Sequence, residues 1–344
     1  MSSATDTLTR PSETAAAQHV FQLASGYILS TALHVAVRLR IPDRLAEGSR
    51  AVADLARDTA VQEDALYRVL RALASVGVFE ETAPREFGNN PASSTLQSGV
   101  PGSLFDMVLW LADPTHLRVY ADAMHSVTTG KPAIEKTFGM PVFEFFPRNP
   151  ELSEVFNNAM TAFSAAVVPA VLEAYDFSGI STLVDIAGGH GRVLTSILQK
   201  YPSMRGVLFD LDHVIAGAVS RIEELGLSDR CRAAAGDFFA AVPEGGDAYI
   251  MKHIIHDWDD DRAAAILENI RKAMNRGGRV ILLESVLLPG NQPDFGKVID
   301  LEMLLLPGGR ERTETEFRAL FNRAGFELTR IVGTQSPLSV IEAR

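Results

Sequence analysis

Two hydrophobic rhythms alternate along the C-terminal half of the chain. Short apolar runs at 182–186, 206–210, 247–252 and 279–284 are set between glycine- or proline-containing turns. Between them, apolar residues recur three and four apart, as in Val193, Leu194, Ile197 and Leu198. The runs predict buried strands and the longer period predicts helices packed on them. Strand and helix in regular alternation predict an α/β fold with a doubly wound parallel sheet. Leu328–Val332 and Pro337–Glu342 are expected to close it as a terminal hairpin.

The N-terminal part reads differently. Gln18–Arg40 is apolar on more than one face, through Val20, Phe21, Ala24, Tyr27, Ile28, Ala32, Leu33, Val35 and Val37. A helix apolar nearly all round is buried, here against a partner chain. Helices near Val52–Ala56 and Asp64–Val76, then strand-like pieces at Val78–Glu80 and Phe87–Asn89, predict a helical winged-helix-like unit. The expected division is 1–100 for that unit and 101–344 for pocket helices plus the Rossmann-like part. Residues 100–170 concentrate aromatics and methionines. Most belong to a core, but Trp110, Tyr120, Phe143, Met160 and Phe163 are expected to face a cleft. The first 14 residues, rich in Ser and Thr, read as a loose tail.

Candidate chemistry gathers around Leu183–Arg192, LVDIAGGHGR. A strand leads into Gly188, Gly189 and Gly191, and a helix follows. Glycines let the backbone turn tightly and approach a ligand, and the helix start offers free N–H groups to an anion. Asp210 closes the next strand about 20 residues on, where an acid grips ribose hydroxyls. The dinucleotide pattern of three spaced glycines fails, because Leu194 stands at its third position. The turn therefore suits the amino-acid end of S-adenosylmethionine better than a pyrophosphate. Asp237, in Gly236–Phe239, is a second nucleoside-side acid; its plain alternative is a turn or helix-capping residue. Tyr249–Trp258 then brings His253 and His256. His256 is the candidate general base and His253 a packing or cleft-wall residue. The alternative for His256 is a loop residue before the acid-rich start of the next helix.

Charge and composition narrow the classes. The chain has 344 residues, 47% of them hydrophobic, enough for a large core and two domains. A net charge of −11 argues against binding a phosphate backbone, even though Arg68 and Arg71 sit where a recognition helix would carry them. One cysteine, Cys231, suits a reducing compartment. No run of 18 or more apolar residues stands out, so no membrane partner is expected and the cytoplasm is the expected location.

LVDIAGGHGR, FDLDHV (209–214), GDFF (236–239), MKHIIHDWDD (251–260) and PGGRERTETEF (307–317) together resemble the consecutive signatures of plant-type small-molecule O-methyltransferases. That group includes caffeate, flavonoid and acetylserotonin enzymes and bacterial polyketide-tailoring enzymes. The resemblance implies S-adenosylmethionine as methyl donor, no metal, and a homodimer formed through the N-terminal unit. It implies that Gly188, Gly189 and Gly191 cradle the methionine portion and that Asp210 binds ribose with Leu211 beside the adenine. Asp237, Phe238 and Lys252 would hold the adenine, and Met160 and Ser164 would line the cleft. His256 would act as general base, flanked by Asp257 and bracketed by Glu284 and Glu311. Trp110, Tyr120, Phe143 and Phe163 would contact a small aromatic acceptor bearing a hydroxyl. One departure is Ala187, where many relatives have glycine; it fits if φ stays negative. The competing readings are N- or C-methylation, a non-methylating relative, and a non-catalytic S-adenosylmethionine sensor.

Overall fold

The computed structural model describes residues 13–344, so the expected loose tail lies outside the described residues except for Glu13 and Thr14. Those two already belong to the first helix, Glu13–Arg38. The chain divides into a first unit ending at Asp113 and a second, Pro114–Arg344. This division falls later than the expected 100/101, because Phe105–Leu111 forms a helix that packs with the first helix.

In the first unit, helices Val52–Thr59 and Glu63–Ala74 stand beside a small three-stranded wing. The wing is made of β1 (Arg50–Ala51), β2 (Glu80–Ala83) and β3 (Glu86–Gly88), all antiparallel. Ala36, Ile41, Leu55, Leu70, Phe79 and Phe87 form its core. The first helix buries only Ala36 and Val37 within the chain, while Val20, Phe21, Leu23, Tyr27 and Ile28 are 55–73% exposed.

The second unit holds seven strands: β4 (Thr182–Ile186), β5 (Arg205–Asp210), β6 (Cys231–Ala235), β7 (Ala248–Lys252), β8 (Arg279–Glu284), β9 (Leu328–Gly333) and β10 (Ser339–Ala343). Their order is β6-β5-β4-β7-β8-β10-β9, parallel except for β10, which is antiparallel to both neighbours. Successive side chains point to opposite faces of a strand. Leu183, Leu208, Ile250 and Ile281 therefore pack with helices Pro150–Ala174 and Arg192–Lys200. Val184, Val207, Tyr249 and Val280 pack with Asp260–Ala273 and Glu314–Arg323. Sequence rhythm passed over β6: its Cys-Arg-Ala-Ala-Ala lacks the bulky β-branched residues that mark a strand.

Over an 18-residue stretch, helices Glu13–Arg38 and Pro150–Ala174 are each long and apolar enough to cross a membrane. Neither is an unbroken apolar run, because Gln, His and Ser interrupt the first and Ser and Asn the second. Pro150–Ala174 contributes Val167, Val168 and Val171 to the core of its unit.

The ends of β4 and β5 shape the turn between them. The side chain of Leu208 fills the space beneath Gly188 and Gly191, where any Cβ would collide with it. Ala187 takes φ 53°, in the left-handed region, so the expectation of a negative φ there is corrected. Such a conformation costs a side chain about 1–2 kcal/mol, and the turn tolerates it in order to aim Gly188 and Gly189 at one cavity. Leu208 is fully buried, so Leu208→Ala should lower unfolding free energy by about 2–5 kcal/mol. Urea denaturation measures this; a loss under 1 kcal/mol would mean that the leucine does not support the turn.

Candidate active site

The C-terminal ends of the parallel strands open onto a cavity of about 390 Å³. This is where ligands sit in doubly wound sheets. Gly188 and Gly189 from the turn after β4, Asp210 and Leu211 from the end of β5, and Asp237 and Phe238 after β6 line it. Lys252 from β7 and Met160 and Ser164 from the long helix line it too. The N–H of Gly189 donates to Asp210 Oδ2 at 2.8 Å and that of Leu211 to Oδ1 at 2.7 Å, so the acid also ties the glycine turn to β5. Burial raises the Asp210 pKa, opposed by those two N–H groups. Asp237 Oδ1 accepts the Phe239 N–H at 2.8 Å; it is a turn-former and a cavity residue at once.

Gly191 departs from the expected cradle. It caps helix Arg192–Lys200 in a left-handed conformation against Leu208 and is not among the cavity-lining residues. Asp185, which sequence reasoning did not select, does line the cavity. It is pushed up to about 7 by burial and then by Asp210, and its Oδ2 has no hydrogen-bond partner. An acid inside the apolar run Leu183–Ile186 was the visible signal. Burial lowers the Lys252 pKa, opposed by Glu284, Asp185 and Asp257.

Past the end of β7 the chain turns sharply at His253, φ 54°, into the short 3-10 turn Ile255–Asp257. His256 is buried in it, 6% exposed. Its Nδ1 lies 2.6 Å from Glu311 Oε1 and 3.7 Å from Glu284 Oε2, and its Nε2 lies 3.6 Å from Asp257 Oδ1. Glu311 is the direct partner. Glu284 Oε1 instead accepts the N–H groups of Ile254 and Ile255, both at 3.0 Å, and so fixes the turn's backbone. Burial disfavours the imidazolium, but Glu284, Asp257 and Glu311 outweigh it and push His256 up to about 10. The same crowding raises Asp257 to about 6 and Glu284 to about 7, with burial the larger cause in each. His253, whose pKa burial and His256 hold well below the ordinary value, stacks on His256 at 4.6 Å and on Phe163 at 5.0 Å. Donor atoms of His253, His256 and Glu284 lie within 4.8 Å of one another. Their imidazole planes stack at 28° rather than converging, which does not suit coordination of one ion by both rings.

Asp257, His253, Ile254, Trp258 and Phe143 line the cavity; His256, Glu284 and Glu311 stand behind them. Phe143 stacks on Trp258 at 5.3 Å and Phe146 on Phe156 at 4.7 Å, giving this end of the cavity flat aromatic walls. The other expected aromatic residues make different contacts. Phe163 is spent on the histidine stack. Tyr120 donates its hydroxyl to Glu302, which also meets His116 Nε2 at 2.9 Å, so its ring belongs to a polar helix contact. Trp110 is buried in the first unit, on helix Phe105–Leu111.

The cavity residues fit S-adenosylmethionine. Gly188 lets backbone approach where a Cβ would be blocked, Asp210 brings a carboxyl group to the cavity, and Asp185 and Asp257 add two more. Residues 120–327 match the family profile described as O-methyltransferase domain, and residues 21–99 match the O-methyltransferase dimerisation domain. The phenazine O-methyltransferase PhzM of Lysobacter antibioticus is 43% identical, over 94% of this chain and 95% of its own. The 8-amino-8-demethylriboflavin N,N-dimethyltransferase of Streptomyces davaonensis is 35% identical, over 96% of both. Among solved structures, NcsB1 from neocarzinostatin biosynthesis, in complex with S-adenosylmethionine and 2-hydroxy-5-methyl naphthoic acid, has a TM-score of 0.81. It is 29% identical, with 91% of this chain and 95% of that one covered. Fold, cavity and family profiles converge: the chain belongs to the S-adenosylmethionine-dependent O-methyltransferases that join a dimerisation domain to a class I methyltransferase domain.

Proposed function

We propose that this enzyme methylates a hydroxyl of a small planar aromatic metabolite of the phenazine, quinone or polyketide kind, with His256 as general base. The observation that carries the reading is the buried His256–Glu311 contact at 2.6 Å, immediately behind an aromatic-walled cavity. When bound, S-adenosylmethionine supplies a methyl already made electrophilic by its sulfonium. What remains for the protein is to hold acceptor oxygen and methyl in line and to take the acceptor's proton. Gly188, Gly189, Asp210, Leu211, Asp237, Phe238 and Lys252 hold the donor; Met160 and Ser164 border it. Phe143, stacked on Trp258, forms with it one wall for the acceptor ring. Glu311 fixes the Nδ1–H tautomer so that Nε2 receives the proton, and Glu284 holds the turn. Asp257, facing both the cavity and Nε2, supports the developing charge.

The raised pKa sets the direction of the pH response. An imidazole pushed up to about 10 holds its proton at neutral pH. The reacting state has one proton fewer, shared between imidazole and phenol. For a phenolic acceptor, kcat/KM is therefore low in acid and climbs through pH 7 to 9. A profile that levels off by pH 7 would contradict this.

A relative that dimethylates an amine keeps N-methylation as the second reading. A panel of phenols, hydroxyquinones, hydroxyphenazines and arylamines with labelled S-adenosylmethionine separates the two. Transfer to oxygen that falls about 10²–10⁴-fold in His256→Ala, with donor affinity intact, supports base-assisted O-methylation. Transfer to nitrogen, or a rate indifferent to the substitution, removes it.

The exposed apolar helix and the dimerisation-domain match support a homodimer, and the net charge of −11 weighs against a nucleic-acid partner. Light scattering should give about twice the chain mass of 37.3 kDa; a monomer mass would rule the homodimer out.

A further inference from the structure

Arg312 is a fully buried arginine that the site as described does not use. A buried guanidinium is costly unless its donors are satisfied, and these are met by the loop that bears His256. Nη1 donates to the carbonyl of Ile255 at 3.0 Å and of Arg310 at 3.3 Å. Nη2 donates to the carbonyl of Trp258 at 2.9 Å and to Asp260 Oδ1 at 2.8 Å, and Nε to the same Oδ1 at 3.0 Å. The two carbonyls from Ile255 and Trp258 lie on either side of His256 and Asp257. Arg312 is also the residue after Glu311.

Its neighbours hold the same turn. The N–H of Arg310 donates to the His256 carbonyl at 2.8 Å. Gly309 lies so close to that carbonyl that any Cβ would collide with it. On the far side, Glu311 N–H donates to Asp300 Oδ1 at 2.8 Å, and Leu287 N–H donates to the Arg312 carbonyl at 3.0 Å. Residues 309–312 thus form a platform pressed against the His256 turn, with a rigid five-donor fork at its end.

We propose that Arg312 is a positioning residue for methyl transfer: its guanidinium locks the His256 turn against the Glu311 segment and so sets the Glu311–His256 contact. This rests on His256 being the base. Arg312 does not face the cavity and touches no reacting atom; it acts through the distance between two other side chains. A single ammonium cannot span Ile255, Trp258 and Asp260 together. With the fork gone, Glu311 and His256 drift apart, and the imidazole loses both its orientation and part of its raised basicity.

The test compares Arg312→Lys and Asp260→Ala with the parent enzyme, and His256→Gln is measured in parallel. Asp260 is half-exposed at 48%, so its truncation leaves the core intact. Arg312→Lys should lower kcat about 10²-fold with KM for S-adenosylmethionine unchanged. The inflection of the pH–rate profile should move down toward ordinary imidazole values. Asp260→Ala should do the same to a smaller extent, and it decides the matter if the lysine variant does not fold. In the His256→Gln background, Arg312→Lys should cost nothing further. If kcat falls but the inflection stays where it was, the role is merely structural and the proposal is overturned. If His256→Gln collapses while both other variants match the parent, the clamp alone is wrong. If His256→Gln keeps the parent rate, the reading of the base has failed first.

Discussion

One imidazole set among three carboxylates, two of them fully buried, is the constraint on which the active site depends. Removing a single partner from a buried ion pair costs about 3–5 kcal/mol, so neither His256 nor Glu311 can be left alone in this interior. The arrangement holds because Glu284 and a fourth carboxylate, Asp300, also serve the backbone. Glu284 caps two N–H groups of the turn, and Asp300 takes the N–H of Glu311. The histidine is thereby made basic and oriented by the same contacts that shape its turn. His253 takes its positive φ where β7 ends and the chain turns into Ile255–Asp257.

The sheet serves the cavity from both sides of its midline. β4 and β5 deliver the glycine turn and Asp210; β7 and β8 deliver Lys252, the His256 turn and Glu284. A parallel sheet puts all of these at one end by geometry alone. Leu208 links fold to function, because the same side chain that fills the core under β4 and β5 holds the glycine turn up to the cavity.

Much of this was legible in the sequence. The alternation of apolar runs with helical stripes located six of the second unit's seven strands, and only the alanine-rich β6 escaped. The ordered motifs pointed to residues that line the cavity, and to His256 behind it, because each motif is local: a glycine turn, an acid ending a strand, a histidine after another. Properties that depend on which side of an element faces which neighbour were not legible. Tyr120 and Phe163 carry the right chemistry for a pocket wall, yet one bonds to Glu302 and the other stacks on His253. Ala187 had no local signal for its left-handed φ. Arg312 was invisible for the same reason, since a charged residue in Gly308–Thr313 reads as solvated until tertiary structure surrounds it.

The most direct test of this account is the titration of His256 itself, followed by NMR of the imidazole in histidine-labelled enzyme and assigned by its loss in His256→Gln. The account predicts an imidazolium that persists through pH 8, with a midpoint near the value of about 10 set by its carboxylates, and a lower midpoint in Glu311→Gln. A ring already neutral at pH 7 in the parent, or a midpoint unmoved by Glu311→Gln, would contradict it.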